Sequence, residues 1–154
     1  MSKKVYPGTL DTTAAGSLRS GEMPIDGMIR EATEEAGIPE EYSRANIKSC
    51  GSVTYQVAAT NDGTPGCQHH VQFAYETELK KDFVPFPVDG EVDEFKLMSL
   101  EEVLDAAVKG KFKLNLAMTW VDYLVRHGIV TAENEPHFLE VCARLHRKHD
   151  IFVV

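Results

Sequence analysis

Residues 21–41 read GEMPIDGMIREATEEAGIPEE, and the rest of the chain is understood outward from them. Pro24 suits the first helical position, where a missing backbone N–H leaves no bond unmade, and Gly37 suits the left-handed residue that stops a helix. A helix is therefore predicted over Pro24–Ala36. At about 100° per residue, Ile25, Met28, Ile29, Ala32 and Ala36 gather on one side, while Glu31, Glu34 and Glu35 fall within an arc of roughly 100° on another. One face packs and the other presents carboxylates. Like charges at i,i+4, as in Glu31 and Glu35, destabilise an isolated helix by roughly a few tenths of a kcal/mol, so a compensating charge is expected. Arg30 is one candidate, since it reaches Glu34 at i+4. A hard divalent cation that bridges carboxylate oxygens to substrate phosphates is the other. For an arbitrary pair of helical glutamates a solvated acidic face is the ordinary explanation; the wider spacing described below argues against it here.

The bulk composition narrows the classes. A chain of 154 residues with 43% hydrophobic content has material for one domain around one core, spanning 1–154. Sixteen basic against 24 acidic residues give a formal charge of −8, which repels phosphate backbones and anionic lipid. Neither nucleic acid as a primary partner nor a membrane is expected, although an acidic protein can handle phosphates through bound metal. Cys50, Cys67 and Cys142 are odd in number and lack CxxC spacing, which indicates neither a disulfide framework nor a zinc site. With no signal-peptide core and no run of about eighteen apolar residues, a soluble protein of a reducing compartment is expected, cytoplasmic in the first instance, with an organelle left open.

Along the chain, short strands are expected at Lys3–Tyr6 and again at Thr12–Ala15 after the Pro-Gly turn. The alternation of Val53, Tyr55 and Val57 predicts a strand over Ile47–Ala59, paired as a hairpin with Val71–Leu79 across the NDGTPG turn. Val92–Ser99 reads as a further strand, with Val92, Phe95 and Leu97 as its apolar members. Ser99 is expected to cap a short helix that ends at Gly110. Leu114–His127 places Leu114, Ala117, Met118, Val121, Leu124 and Val125 on one helical stripe, and a last helix over Glu135–Lys148 turns Phe138, Leu139, Cys142 and Leu145 inward. A strand-rich middle holding one early helix and followed by helices predicts an α+β chain with a mixed sheet. His69 and His70 point to opposite faces of a strand and suit the surface. Tyr55, Phe73 and Phe86 are ordinary packing residues or platforms for a flat ring.

Gly16, five residues, Glu22, seven residues, then Arg30-Glu31-Ala32-Thr33-Glu34-Glu35-Ala36-Gly37-Ile38 fills every fixed position of the pattern G-x5-E-x7-R-E-U-x-E-E-x-G-U, with U aliphatic or small here. Seven identities at background frequencies near one in fifteen give a chance match of order 10⁻⁸ per start. The pattern is the Nudix box, and the chain resembles Nudix hydrolases. The resemblance implies an α/β/α sandwich around a mixed sheet, here with extra C-terminal helices. It implies Mg²⁺, with Mn²⁺ as substitute, held against a diphosphate so that water attacks one phosphorus. Carried over position by position, Glu31, Glu34 and Glu35 become metal ligands, one of them able to act as base, and the Gly16 carbonyl a further ligand. Arg30 orients the glutamates and Glu22 braces the loop. A fourth carboxylate is expected from a later loop, with Glu91 ahead of Asp93 and Glu94.

The segments YPGTLDTTAAG, GSVTY, DGEVDEFKLMSLEEV, FKLNLAMTWVDYLVRHGIVTAENEP and RLHRKH look like the Nudix domain of proteins labelled thiamine pyrophosphokinase-related. That likeness implies hydrolysis of thiamine diphosphate or its oxidised analogues to the monophosphate. Kinase activity is not implied, since no GxxxxGK[ST] loop occurs. The alternatives are ADP-ribose or a nucleotide sugar as substrate, or a catalytically silent binding module on the same fold. Two departures stand out. The box opens Ala15-Gly16-Ser17 where Ala-Gly-Gly is usual, and the upstream domain and first strand of such relatives have no counterpart in this chain, which predicts an exposed sheet edge and pairing as a homodimer.

Overall fold

The computed structural model describes residues 8–59, 65–113 and 115–147. The expected strand at Lys3–Tyr6 lies outside them, as do Leu114 and Lys148. Two compact units divide the chain: the first comprises residues 1–50 and 75–113, the second 51–74 and 114–154.

The first unit contains helix α1, Pro24–Ala36, with the predicted boundaries. Pro24 opens it, and Gly37 closes it at φ 66°, its N–H reaching the carbonyls of Ala32 and Thr33. Ile29, Ala32 and Ala36 are buried as the periodicity requires, whereas Ile25 at the first turn is exposed. Ala32, Ala36 and Ile38 form the heart of this core, and Met28, Tyr42, Leu79, Phe83 and Phe95 pack around it. A second helix, α2, Glu40–Asn46, follows at once. It is absent from the sequence expectation, because seven residues with only Ser43 buried carry no apolar stripe.

Two expected strands of this unit are corrected. Thr12–Ala15 is a bend in which Asp11 Oδ1 accepts from the Thr12 N–H and the Thr12 hydroxyl donates to the Ala14 carbonyl. Local side-chain bonds of this kind compete with ladder formation. Val92–Ser99 is irregular: Phe95 packs on the core, but Leu97 is fully exposed, so its apolar members share no buried layer. Its last residue does cap a helix. In α3, Leu100–Val108, the Ser99 hydroxyl accepts from the Glu102 N–H while the Glu102 carboxylate accepts from the Ser99 N–H. A parallel bridge between Leu10 and Phe112, with an ion pair from Lys113 to Asp11, joins the two ends of the unit.

The second unit is built on the hairpin of β1, Lys48–Ala59, and β2, Pro65–Glu76, whose ends continue into the first unit. The short connection between Ala59 and Pro65 leaves only the antiparallel arrangement. Helix α4, Leu116–Arg126, buries Leu116 and Leu124, and α5, Phe138–Leu145, buries Leu145. The predicted stripes are partly displaced. Ala117 and Leu139 are exposed, and the buried Asp122 is held by Arg126 at 2.7 Å one turn later. The α+β class stands. Among the described residues the sheet consists of the β1–β2 hairpin, and the parallel pairing of the expected mixed sheet is reduced to the isolated bridges Leu10–Phe112 and Thr54–His146. No helix among the described residues is long and apolar enough to cross a membrane.

Candidate active site

The carboxylates of α1 are organised by Arg30. Its Nε donates to Glu22 Oε1 at 2.9 Å and its Nη2 to Glu22 Oε2 at 3.0 Å, a two-pronged contact that ties the loop before the helix to the helix itself. Nη2 also reaches the Ser17 carbonyl at 3.2 Å, and Nη1 donates to Glu31 Oε1 at 2.6 Å and Glu34 Oε2 at 3.3 Å. Five contacts for five N–H donors leave Arg30 nothing with which to grip a ligand. Its hydrogen bonds, with help from the Arg19 N–H, hold the Glu22 carboxyl at about 2, well below the ordinary 4.5. Glu22 and then Glu31 in turn push the guanidinium further above its ordinary value.

Gly16 is placed against Glu31. A Cβ at position 16 would stand 1.9 Å from Glu31 Oε1 and 2.1 Å from its Cδ, so any side chain there makes the Glu31 carboxylate move from this place. Glu34 is half exposed and takes a second, looser contact from Arg19 at 3.4 Å. Glu35 is different. It is 8% exposed, and its Oε2 accepts from the Ala15 N–H at 2.9 Å.

A loop brings two more carboxylates to Glu35. Oxygens of Glu35, Asp89 and Glu91 all lie within 4.8 Å of one another. The loop is attached to the end of α1: the Phe86 N–H donates to the Ala36 carbonyl at 3.3 Å, and the Phe86 ring tip covers Gly37, where a Cβ would meet Cζ at 2.5 Å. Beyond it, Asp89 Oδ1 accepts from the Glu91 N–H at 2.9 Å across Gly90, which has φ 79°. Three carboxylates and no nitrogen or sulfur make a hard, all-oxygen donor set, which fits Mg²⁺, Mn²⁺ or Ca²⁺ rather than a softer metal.

Of the residues singled out in the sequence, the structure brings Glu91 to Glu35, and gathers Arg30, Glu31, Glu34 and Gly16 around the same helix. Glu31 and Glu34 are engaged by Arg30 and are not members of the Glu35–Asp89–Glu91 group. Asp93 and Glu94 are exposed and outside it. Asp89 is the residue that the sequence reading misses. Its signal was the Asp-Gly-Glu turn, in which an aspartate bonding two residues ahead turns the following carboxylate back on itself. Elsewhere, His70 stacks on Tyr55 with ring centroids 4.9 Å apart, and the three cysteines are free thiols.

Residues 2–118 match the model of the NUDIX domain. The chain belongs to the NUDIX family. It is 38% identical over 153 residues to an uncharacterized protein, YJR142W, of Saccharomyces cerevisiae, across 95% of this chain and 45% of that one. Two Arabidopsis thaliana proteins are each 35% identical over 150 residues: Nudix hydrolase 24, chloroplastic, across 94% of this chain and 38% of the relative, and Nudix hydrolase 20, chloroplastic, across 96% and 38%. The chain spans less than half the length of these curated relatives. It is a Nudix-hydrolase family member of the α+β class, with all seven fixed positions of the box in place.

Proposed function

We propose that this Nudix domain, residues 1–154, is a divalent-metal-dependent pyrophosphohydrolase acting on a small organic diphosphate. The observation that carries the reading is the convergence of Glu35, from the box helix, with Asp89 and Glu91 from a distant loop. Three carboxylates brought together at one helix end, in a chain already at −8, repel one another unless a cation is shared among them. Glu35, Asp89 and Glu91 would hold the ion, with Glu31, Glu34 and the Gly16 carbonyl as the ligands that the box supplies, and Mg²⁺ as the ordinary ion with Mn²⁺ as substitute. When bound, such an ion neutralises a diphosphate and acidifies a water molecule so that a nucleophile exists near neutral pH.

The residues of the chain do the rest. Arg30 fixes Glu31 and Glu34 in place, and Glu22 fixes Arg30. Gly16 keeps the space beside Glu31 open. Glu35 is held by the Ala15 N–H, which fixes its Oε2 to backbone at the end of the box helix. One helix glutamate serves as base, taking the proton of the attacking water as the P–O bond of the diphosphate bridge breaks and the organic monophosphate leaves.

Thiamine diphosphate or an oxidised analogue is the proposed substrate, on the likeness of the segments flanking the box, ahead of ADP-ribose or a nucleotide sugar. A homodimer in the cytoplasm or an organelle belongs to the same proposal; two of the relatives bear the word chloroplastic in their names. The test is phosphate-linkage hydrolysis of thiamine diphosphate, its oxo analogue, ADP-ribose and a nucleoside triphosphate, each with Mg²⁺ and with chelator. Chelator-sensitive release of a monophosphate supports the reading. Activity confined to another member keeps the chemistry and replaces the substrate; none at all sinks the hydrolase assignment, and Glu35→Gln at wild-type rate removes the metal-site assignment.

A further inference from the structure

The loop that delivers Asp89 and Glu91 carries an apolar surface of its own. Val84 is 72% exposed, Phe86 54% and Val88 53%. Single exposed apolar residues need no explanation, but three at alternate positions in one short segment do. Their spacers are Pro85 and Pro87. Proline fixes its own φ and holds the preceding residue extended, so Val84 and Phe86 sit on a backbone that has few other conformations to adopt. The segment is stiff before any ligand arrives, and a stiff contact surface loses little entropy on binding.

Its position is also set. The backbone of Phe86 is tied to Ala36, next to Glu35, and the tip of its ring rests on Gly37, leaving about half the residue open. Phe86 lies three residues before Asp89, so the two Cα atoms are within about 11 Å of each other. An organic group joined to a diphosphate by a short linker reaches this surface; one separated from it by further sugars passes it by.

Resting on the hydrolase reading for its diphosphate anchor, we infer that Phe86, flanked by Val84 and Val88, is the specificity surface of the site, and that it takes a flat heteroaromatic ring attached to the diphosphate through a short linker. A phenyl face stacks on any such ring, and the adjoining valines cover its edge.

The test compares binding of thiamine diphosphate and ethyl diphosphate by calorimetry in the presence of Mg²⁺, for the wild-type chain, Phe86→Ala, Phe86→Leu and Val88→Ser, with turnover measured alongside. Phe86→Ala weakens the ring-bearing ligand about tenfold, in line with loss of one aromatic stack, and changes ethyl diphosphate by less than about twofold. Phe86→Leu keeps apolar bulk over Gly37, controls for folding, and falls between the two. Equal weakening of both ligands, or of neither, in variants that melt like the wild type overturns the inference. So does a ligand preference unchanged by Phe86→Ala in a protein whose sedimentation shifts, which would assign the surface to a second copy. Ring-selective binding without turnover in any variant would remove the hydrolase reading and leave this one standing; turnover with ring-blind variants does the reverse. No binding of either diphosphate removes both.

Discussion

Glu31 occupies the volume that any other residue at position 16 would fill, and it cannot swing aside without giving up the 2.6 Å contact from Arg30. Gly16→Ala is therefore expected to lower kcat/KM about a hundredfold, the usual consequence of misplacing a site group by an ångström, while the thermal midpoint moves little. A variant with wild-type kinetics would show that Glu31 is not needed where it stands. Glu22 gives a separate prediction in acid. Its carboxyl lies at about 2 in the folded chain against an ordinary 4.5, chiefly through Arg30. A lowered carboxyl contributes stability that is present above 4.5 and is lost as pH falls toward about 2. Chemical denaturation across that window should show a steeper fall for wild type than for Glu22→Gln; parallel curves would mean the Arg30–Glu22 fork does not act on stability. At this scale the sequence was legible where spacing alone set the geometry. Arg30 and Glu34 are one turn apart on one helix, so their contact follows from the helix. Asp89 was illegible, because a pairing more than fifty positions away depends on where a loop is pinned, and the pin, Phe86 on Gly37, is itself a tertiary contact.

Helix α1 was readable to the residue because both of its ends carry stereochemical signals, a proline that needs no N–H and a glycine that adopts φ 66°. Gly37→Ala should cost about 1–2 kcal/mol from the left-handed backbone alone, and more because the new methyl meets the Phe86 ring. Urea unfolding measures it; a loss of only about 1–2 kcal/mol would show that the ring yields freely, and a smaller one would refute the backbone cost as well. The misreadings among the elements share a cause. α2 has no apolar stripe to announce it, and Val92–Ser99 has apolar members but forms no strand. Periodicity reports which side chains can be buried together, whereas a strand also needs a neighbour to complete its backbone bonds. On α4 the expected stripe holds at Leu124, which is buried, while Leu116 takes the interior place expected of the exposed Ala117.

The molecule as a whole joins a long box, read directly from its pattern, to a loop that the resemblance anticipates through Glu91 and to which the fold adds Asp89. If Glu35, Asp89 and Glu91 share one ion, Mg²⁺ or Mn²⁺ stabilises the folded chain by mass action, about 2.7 kcal/mol at a hundred times Kd. The paired variant Asp89→Asn, Glu91→Gln should lose most of the accompanying rise in thermal midpoint. A rise undiminished in that variant would place the ion elsewhere. The family and the α+β class were open to the sequence because they rest on local spacing and element order. The organic half of the substrate was not, since it is read by side chains that no pattern ties to the box. The loop has one more consequence. It is bracketed by exposed Lys80, Lys81 and Lys96; Phe86 fastens it to the end of the helix at Ala36 and Gly37, and a second approach brings its carboxylate oxygens within 4.8 Å of that of Glu35. An ion closing the second of these turns a singly moored flap into a doubly moored one, so trypsin becomes a gauge of occupancy, nicking the chain at these lysines quickly without the ion and slowly with it.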